Sequence, residues 1–507
     1  MDGGRRGGWW AWAPGLAVGW LLVAACGRHD GEVSSGASAA GDAAAVVPRA
    51  AVGVGGLVGV LASPLFGQVP PDACVAVALR PAAMAALVGG DSRFRQVEAG
   101  FAARWGVSLT GGATWEAAGL NPAGVLAVAL REGPRRDVMM VAELAELPAG
   151  ERRARVVAWL TRLASAAVPP VPLRWEAAGN VLRAALPGGL SVEVGDAWVR
   201  IGPAGWQAGA GGLGADARLV RLAGRFAADS GVLWARQDCL PWPLPFARGV
   251  DVGAPVVVGW TVSEGGVAVQ GRVPLAREAV GADGLAAADV GAMLEAALGV
   301  RGVGALSVGV ARGRLGAVLA EVMGGDERAR EVSEALAQRV GVDAGSVMAK
   351  GFGGAVGVGL GVEEGDVSAT SVVIAGLAEA DARGIVTRLG DRGDTGWRGD
   401  VAPGTLRLAV EDGSAEAADE AVARLRADWR RVSGLAGPGL VGGLAASPEL
   451  LKALFGGRAR RLSAVLALRR GLGVLEVFGY LRASDSGGFA GLLLGDDAPV
   501  GPGEERP

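Results

Sequence analysis

The order of apolar and polar residues along this chain occurs twice. Residues 89–107 match residues 324–342 without a gap, and both stretches place apolar side chains at helical spacing. In the first copy Asp91 can cap the start of the helix and Gly106 can close its end. Because the match has a fixed order and register, it predicts an internal duplication.

Other segments keep the same order in the two halves. The matched segments are 75–79 with 306–310, 124–130 with 354–360, 137–146 with 371–380, the helices ending at 163 and 389, 181–186 with 405–410, 231–234 with 464–467, and the final hairpins 256–273 and 474–494, which turn at Gly265-Gly266 and Gly487-Gly488. Hairpins that alternate with helices are typical of antiparallel sheets with a helical layer. We predict an α+β fold of two tandem similar domains, each a mostly antiparallel sheet with helices on one face.

The matches and the composition between them set the predicted limits. These are a first α+β repeat domain at 70–276, a linker at 277–299, a second α+β repeat domain at 300–495 and a tail at 496–507. Ahead of them, residues 26–69 form a flexible tether and an apolar lead-in, because small and polar residues cannot bury enough area to order themselves. A membrane span within 50–66 is the alternative for the lead-in, although its glycines weaken a lone helix.

The N-terminus has the pattern of a secretory signal. Two arginines give it a basic start, an apolar run begins at Trp9, and small residues stand directly before Cys26. An uncleaved membrane anchor is the alternative, but Pro14 and Gly15 interrupt a run that is already short for a bilayer span. We therefore predict a cleaved signal peptide at 1–25.

Two short segments resemble known bacterial sequences. Val23-Ala24-Ala25-Cys26 resembles the lipobox of bacterial lipoproteins, which implies that Cys26 is diacylated on sulfur and anchors the mature chain in an envelope membrane, facing the periplasm or the exterior. Two or three acyl chains, at about 0.8 kcal/mol per buried CH₂, hold a soluble body at a membrane almost permanently. Position 27 is glycine and not the aspartate that retains enteric lipoproteins in the inner membrane, which favours the outer membrane.

The second segment, Pro71-Asp72-Ala73-Cys74-Val75, resembles the opening of uncharacterised bacterial envelope proteins. This resemblance implies no activity.

The chain is poor in catalytic chemistry. His29 is its only histidine and lies in the tether, so the folded region has no imidazole for a Ser-His-Asp triad, a Cys-His pair or a histidine-bearing zinc site. Ser63, Ser307 and Ser484 lie in no G-x-S-x-G elbow. A net charge of −3 gives no electrostatic footprint for nucleic acid. We predict no catalytic residues, no metal ligands and no cofactor.

Cysteines and tryptophans supply the remaining candidate residues. Cys74 and Cys239 form a disulfide in the predicted oxidising compartment, or else remain two separate buried thiols. Four tryptophans lack a clear apolar counterpart in the second half and are candidates for a contact patch or ligand groove: Trp115, Trp198, Trp206 and Trp242. Capping of a domain edge is the alternative for these four.

Three glycine-containing motifs have simple interpretations. Gly209–Gly214 fits the G-x-G-x-x-G pattern, but such matches arise by chance in a glycine-rich chain, so a turn is predicted. The tripeptides at 392–394 and 398–400 both read Arg-Gly-Asp and are predicted to lie in a solvated loop. The second tripeptide aligns with Glu176-Ala177-Ala178, so the other half lacks it.

These observations favour a membrane-anchored envelope lipoprotein that binds or scaffolds other molecules without catalysis, with envelope proteins or an apolar ligand as partners. One alternative is a carrier of an apolar envelope ligand such as lipid, in keeping with the high apolar content and the tryptophans of the first half. A second is a carboxylate-dependent hydrolase of envelope polymers, because carboxylates are plentiful but no pair stands out.

Overall fold

A computed structural model describes the chain from residue 63 onward, with gaps. It covers residues 63–110, 112–131, 137–166, 170–206, 212–216, 230–236, 255–263, 266–275, 285–298, 303–315, 330, 334, 352–363, 366–392, 397–410, 419–455, 461–471, 474–483 and 489. The predicted signal peptide, most of the tether and the tail therefore lie outside the described residues.

Eighteen strands are assigned within these ranges. They are β1 (Val75–Leu79), β2 (Leu126–Arg131), β3 (Asp137–Glu143), β4 (Glu176–Ala178), β5 (Val181–Leu186), β6 (Leu190–Val194), β7 (Trp198–Pro203), β8 (Gly231–Arg236), β9 (Pro255–Ser263), β10 (Gly266–Pro274), β11 (Gly304–Val310), β12 (Gly354–Glu363), β13 (Asp366–Ala375), β14 (Trp397–Ala402), β15 (Thr405–Val410), β16 (Leu440–Ala446), β17 (Leu462–Gly471) and β18 (Val474–Ala483).

The α-helices assigned in the same ranges are α1 (Pro81–Val88), α2 (Ser92–Trp105), α3 (Ala113–Ala117), α4 (Ala149–Ala166), α5 (Val290–Ala297), α6 (Glu379–Arg392), α7 (Asp419–Ala436) and α8 (Pro448–Phe455). Short 3-10 turns lie at Pro64–Gln68, Pro187–Gly189 and Gly212–Ala215. The predicted capping of α2 is confirmed: the Phe94 amide donates to the Asp91 carboxylate at 3.1 Å, and Gly106 has a φ of 67°. Its predicted match at 324–342 lies almost wholly outside the described residues.

The described strands form one continuous antiparallel sheet. Their order is β4-β5-β6-β7-β3-β2-β1-β8-β9-β10-β18-β17-β16-β11-β12-β13-β15-β14. The predicted α+β class and the mostly antiparallel pairing are confirmed. Two separate sheets are not formed, because β10 pairs with β18 from Gly266↔Arg482 to Pro274↔Val474 and joins the halves edge to edge.

Two of the predicted segment matches are wrong. In the first half β1 lies between β2 and β8, and in the second β11 lies between β12 and β16. By position, 231–234 in β8 therefore corresponds to β16 and not to 464–467. The final hairpin joins β17 to β18 rather than spanning 474–494, and Gly487-Gly488 lies outside the described residues. The cause is composition. These alanine-rich apolar strands are so similar in sequence that the match between the two halves was displaced by one strand.

One motif prediction is also wrong. The second Arg-Gly-Asp tripeptide, at 398–400, lies within β14 and not in a solvated loop. This strand pairs with β15 over six residues, from Trp397↔Val410 to Ala402↔Thr405.

Helices cover both faces of the second half, so the prediction of helices on one face is wrong. In β16, Ala445 packs in the cluster with α5 and α7, whereas the next residue, Ala446, packs with Leu450 of α8. Successive side chains of a strand point to opposite faces, which places α8 opposite α5 and α7. In β13, Val373 packs in the cluster with α5, whereas the next residue, Ile374, packs in the cluster with α6. Helices α5 and α6 therefore also lie on opposite faces.

The face under α5 and α7 is built from small residues. A Cβ added at Gly357 would lie 2.5 Å from the Met293 carbonyl oxygen of α5, and one at Gly443 would lie 2.5 Å from the Trp429 ring of α7. Glycine is required at these two positions because the helices approach the sheet backbone so closely. Val373, Val465 and Tyr480 of the same face pack with these helices as well, so small residues allow the close approach and larger ones fill the space beside it.

An ion-pair cluster holds the seam between the halves. Glu476 of β18 is 9% exposed and lies between Arg272 of β10 and Arg469 of β17, directly opposite each in register. Arg272 Nη2 is 2.5 Å from Glu476 Oε1, and Arg469 Nε donates to Glu476 Oε2 at 2.8 Å. Burial raises the pKa of Glu476, but the hydrogen bonds and charges of the two arginines outweigh it, so its pKa lies below the ordinary value.

We predict that Glu476→Gln destabilises the protein by about 3 kcal/mol at neutral pH, because it leaves two partly buried arginines without their anionic partner. A folded-state pKa below the unfolded value of 4.5 means that this stabilisation is full above pH 4.5 and is lost as the pH falls through the folded pKa. The difference between variant and wild type should therefore shrink below pH 4.5. Denaturant unfolding followed by circular dichroism from pH 3 to 7 measures it.

Glu379→Gln is the matched control. Glu379 pairs with Arg383 four residues along the exposed side of α6, where an ion pair contributes little. Equal destabilisation by the two variants, or a Glu476→Gln effect that does not change with pH, would contradict a stabilising role for the seam cluster.

Candidate functional site

The sheet face opposite α5 and α7 carries large aliphatic residues in its central strands. One row of directly opposed residues runs across five strands: Val372, Val358, Leu306, Leu444 and Leu466. The next row contains Val356, Val308, Leu468 and Val477, with Gly442 between Val308 and Leu468. We call these nine valines and leucines the aliphatic face.

Residues of the aliphatic face are incompletely covered. Leu306 is 42% exposed although β11 has a strand on each side, and the other eight are half-buried. Large apolar side chains of a central strand are ordinarily buried, and a contiguous exposed apolar surface marks a site of interaction. The first row alone spans four inter-strand spacings, or about 19 Å.

Packed clusters close the two ends of this face. At the Gly304 end of β11, Leu450 of α8 packs with Ala446 and Leu462. At the Val310 end, Phe352 packs with Leu377 and Ile374. The exposed part lies between these clusters, so the strands hold it on a rigid support rather than on a loop.

The aliphatic face continues beyond the seam into the first half. Val477 lies opposite Gly271, Gly271 opposite Val258, and Val258 opposite Leu233. Val258 and Leu233 are half-buried, like the residues of the aliphatic face. The seam between β10 and β18 therefore joins the apolar surfaces of the halves as well as their backbones.

The chemistry of the aliphatic face is uniform. None of its nine side chains carries a hydrogen-bonding or ionisable group, so burial of apolar area is the only contribution that they can make to binding. The second-half strands contained a signal for it that sequence reasoning missed. Valine and leucine alternate with glycine from Val356 to Val362, which separates one large-residue face from one small-residue face.

The three tryptophans of the predicted patch that the structure describes do not share one surface. Trp115 is 4% exposed and its indole nitrogen donates to the Ser108 carbonyl oxygen at 2.6 Å, within the cluster that contains α4. Trp206 is 2% exposed and belongs to a different cluster, against which half-buried Trp198 packs. Trp242 lies outside the described residues. Two of the four are thus buried in separate cores and offer no surface.

Trp206 has a structural role in the first half. Its indole nitrogen donates to Asp72 at 2.8 Å, and the Arg131 guanidinium lies 5.0 Å from its ring centroid. Arg131 also binds Asp72 at 3.2 Å and Asp137 at 2.5 Å. Burial raises the pKa of Asp72, but the hydrogen bonds from Trp206 and Arg131 outweigh it and keep that pKa below its ordinary value. The cluster fastens the start of the first half to the β2–β3 hairpin.

Of the four carboxylates that are buried in the described residues, three bind arginine, and the fourth, Asp91, caps α2. Glu193 is bound by Arg200 and Arg183, and Asp428 accepts two hydrogen bonds from Arg482 at 3.0 and 2.6 Å. Glu476 is held in the seam cluster. All three carboxylates therefore form structural ion pairs.

Cys74 is disulfide-bonded. Its predicted partner, Cys239, and the predicted lipid site, Cys26, both lie outside the described residues. The Arg236 amide donates to the Cys74 carbonyl oxygen at 2.9 Å, and β1 pairs with β8 along its whole length. Because three residues span at most about 10 Å, this pairing brings the chain close to Cys74 just before residue 239. Cys239 remains the partner that we predict.

The described ranges contain no candidate metal cluster and no helix suited to spanning a membrane. Within those ranges, no group of three or more histidine, cysteine, aspartate or glutamate side chains is placed to hold a metal ion. No helix assigned there has both the length and the apolar character needed to span a bilayer. No protein-family model, curated protein or solved structure matches this chain.

We predict that peptide mapping without reduction recovers one linked peptide pair containing Cys74 and Cys239. We expect Cys239→Ser to destabilise the protein by about 3 kcal/mol, since the bond closes a long loop of the unfolded chain. The same digest after reduction is the control and should release both peptides. A peptide that joins Cys74 to Cys26 would contradict both this pairing and lipidation at Cys26.

Proposed function

We propose that this chain is a lipid-anchored, non-catalytic binding protein of the bacterial cell envelope, and that the aliphatic face is its binding surface. The observation that carries the proposal is the exposure of Leu306, with half-buried neighbours along its row, in central strands of the sheet. Arginine pairing of the buried carboxylates supports binding over hydrolysis. The lipobox at Cys26 and the adjoining Gly27 support anchoring, with the outer membrane favoured.

We infer that the two halves are similar units that arose by duplication and share one sheet. The strands of the two halves occur in the same order across the sheet. The first half has β4-β5 and then β3-β2-β1-β8-β9-β10, and the second has β14-β15 and then β13-β12-β11-β16-β17-β18. The first half has two further strands, β6 and β7, between these groups. The limits 70–276 and 300–495 remain our assignment for the two units.

Carriage of a lipid acyl chain is the form of binding that the side chains favour. A partner protein ordinarily meets a surface with a polar rim and several hydrogen bonds, whereas the aliphatic face offers nine side chains without a polar atom. Across the strands the aliphatic face is about 19 Å long. This length exceeds the hydrocarbon thickness of one leaflet, which is half of the roughly 30 Å core.

We predict that the full-length protein in mild detergent binds a fluorescent fatty acid and that Leu306→Asp weakens this binding at least tenfold. A carboxylate in the centre of the row would have to be desolvated on binding. Fluorescence titration gives the dissociation constant. Leu435→Asp is the matched control, because Leu435 is 55% exposed but lies on α7, on the other side of the sheet.

Failure of the wild-type protein to bind the fatty acid would contradict the carrier assignment. If photocrosslinking from position 306 then captured one specific envelope protein, the aliphatic face would be a protein-binding surface instead. If Leu306→Asp and Leu435→Asp weakened binding equally, the bound probe would not be located on the aliphatic face.

We predict that Cys26→Ser removes the protein from the membrane fraction and abolishes palmitate labelling, because no acyl acceptor remains. Fractionation with labelled palmitate and mass spectrometry of the mature N-terminus measure both effects. His29→Gln, three residues further on, is the control and should leave both unchanged. An N-terminus other than Cys26, or an unmodified thiol there, would contradict the lipoprotein assignment.

A further inference from the structure

The apolar side of the sheet extends past the aliphatic face along the hairpin of β12 and β13. Beyond Val358, β12 presents Leu360 and Val362 on this side, because every second residue of a strand faces the same way. In β13, Ala369 lies opposite Leu360 and Val367 lies opposite Val362. We call Leu360, Val362, Val367 and Ala369 the hairpin strip.

The hairpin strip is open to solvent. Val367 is 38% exposed and Ala369 is exposed as well, whereas Leu360 and Val362 are half-buried. The half-buried pair packs against the cluster that contains Leu450 of α8, so this helix borders the strip on one side. The strip is two strands wide, about 5 Å between strand axes, which suits an extended acyl chain better than a helix of about 10 Å diameter.

The hairpin strip is continuous with the aliphatic face. Leu306, which is 42% exposed, lies opposite Val358, and Val358 is followed on the same side of β12 by the residues of the strip. From Val358 to Val362 the strand extends about 13 Å. Apolar surface therefore runs from the row that contains Leu306 to the end of the hairpin, and contiguous surface of this kind marks a site of interaction.

A β-bulge keeps this surface apolar. The pairing of β12 with β13 shifts its register at Thr370, which is an extra residue in β13. Without the bulge, strict alternation from Ala369 would turn Ser371 towards the aliphatic face and Val372 away from it. In the structure Ser371 lies on the other side, where its hydroxyl group donates to the Ala297 carbonyl oxygen of α5 at 3.2 Å. The bulge thus brings Val372 onto the same face as the hairpin strip.

We propose that the hairpin strip is the far end of the ligand site and that a long acyl chain lies on it, running along β12 from Val358 towards Val362. This inference rests on the proposed function, because the strip extends the surface assigned there. Each methylene group that the strip covers should raise the affinity about fourfold, which corresponds to about 0.8 kcal/mol. The strip therefore selects long chains over short ones.

The methyl end of the chain lies at the hairpin. Three acidic residues occur in the sequence where β12 meets β13, Glu363, Glu364 and Asp366, and they disfavour an anionic head group at this end. The polar end of a fatty acid therefore lies on the Leu306 side. A shorter chain bound in the same direction contacts the aliphatic face near Leu306 but does not reach the hairpin strip.

The proposal is tested by titrating the full-length protein in mild detergent with two fluorescent fatty acids, one of long and one of medium chain length. Val367→Asp places a charge on the strip that must be desolvated on binding. It should weaken long-chain binding at least tenfold and change medium-chain binding less than about twofold. Ala369→Asp is a second variant of the strip and should act in the same way. Circular dichroism establishes that each variant is folded.

Ser368→Asp is the matched control. Ser368 is exposed and lies between Val367 and Ala369 but on the opposite face, where a Cβ added at Gly361 would be 3.8 Å from its hydroxyl oxygen. This variant adds the same charge and should leave both dissociation constants unchanged.

Three outcomes would overturn the proposal while leaving the proposed function intact: Val367→Asp without effect on the long chain, equal weakening of both chains, or equal weakening by Ser368→Asp. A wild type that binds neither fatty acid would overturn the proposed carriage of acyl chains and this inference with it.

Discussion

The pairing of β10 with β18 is the interaction on which the rest of the described structure depends. It joins the last strand of each half over nine residue pairs, and the seam cluster of Glu476 with two arginines lies within it. Without this pairing each half would expose a long edge strand of nine or ten residues, which favours aggregation. The ion pairs also fix the register, because a slip would separate Glu476 from Arg272.

One consequence of the seam is that two different surfaces run along a single sheet. Under α5 the central strands present mostly glycine, alanine and serine, so this helix packs close to the backbone. On the other side the same strands present valine and leucine, and part of this surface is open. Five of the nine residues of the aliphatic face pack against the core that contains α6, so both faces contribute to the stability of the second half.

Sequence reasoning recovered the local structure better than the assembly. The strands, the capped helix at Asp91 and the antiparallel hairpins followed from periodicity and turn residues, since these signals are local. Which edge strand pairs with which is decided by contacts across more than 200 residues, such as Arg272 with Glu476, and no local pattern encodes them. The wrong match of 231–234 with 464–467 has the same origin, because alanine-rich strands differ too little to be told apart.

The tryptophans were misleading for a related reason. Absence of a counterpart in the second half was interpreted as freedom from the core. In the structure Trp206 binds Asp72 and lies against Arg131, in a cluster whose members all belong to the first half. The lack of a counterpart therefore does not indicate whether a tryptophan is exposed. By contrast, the aliphatic face was predictable from the strict alternation of glycine with valine and leucine in β12, had each strand face been considered separately.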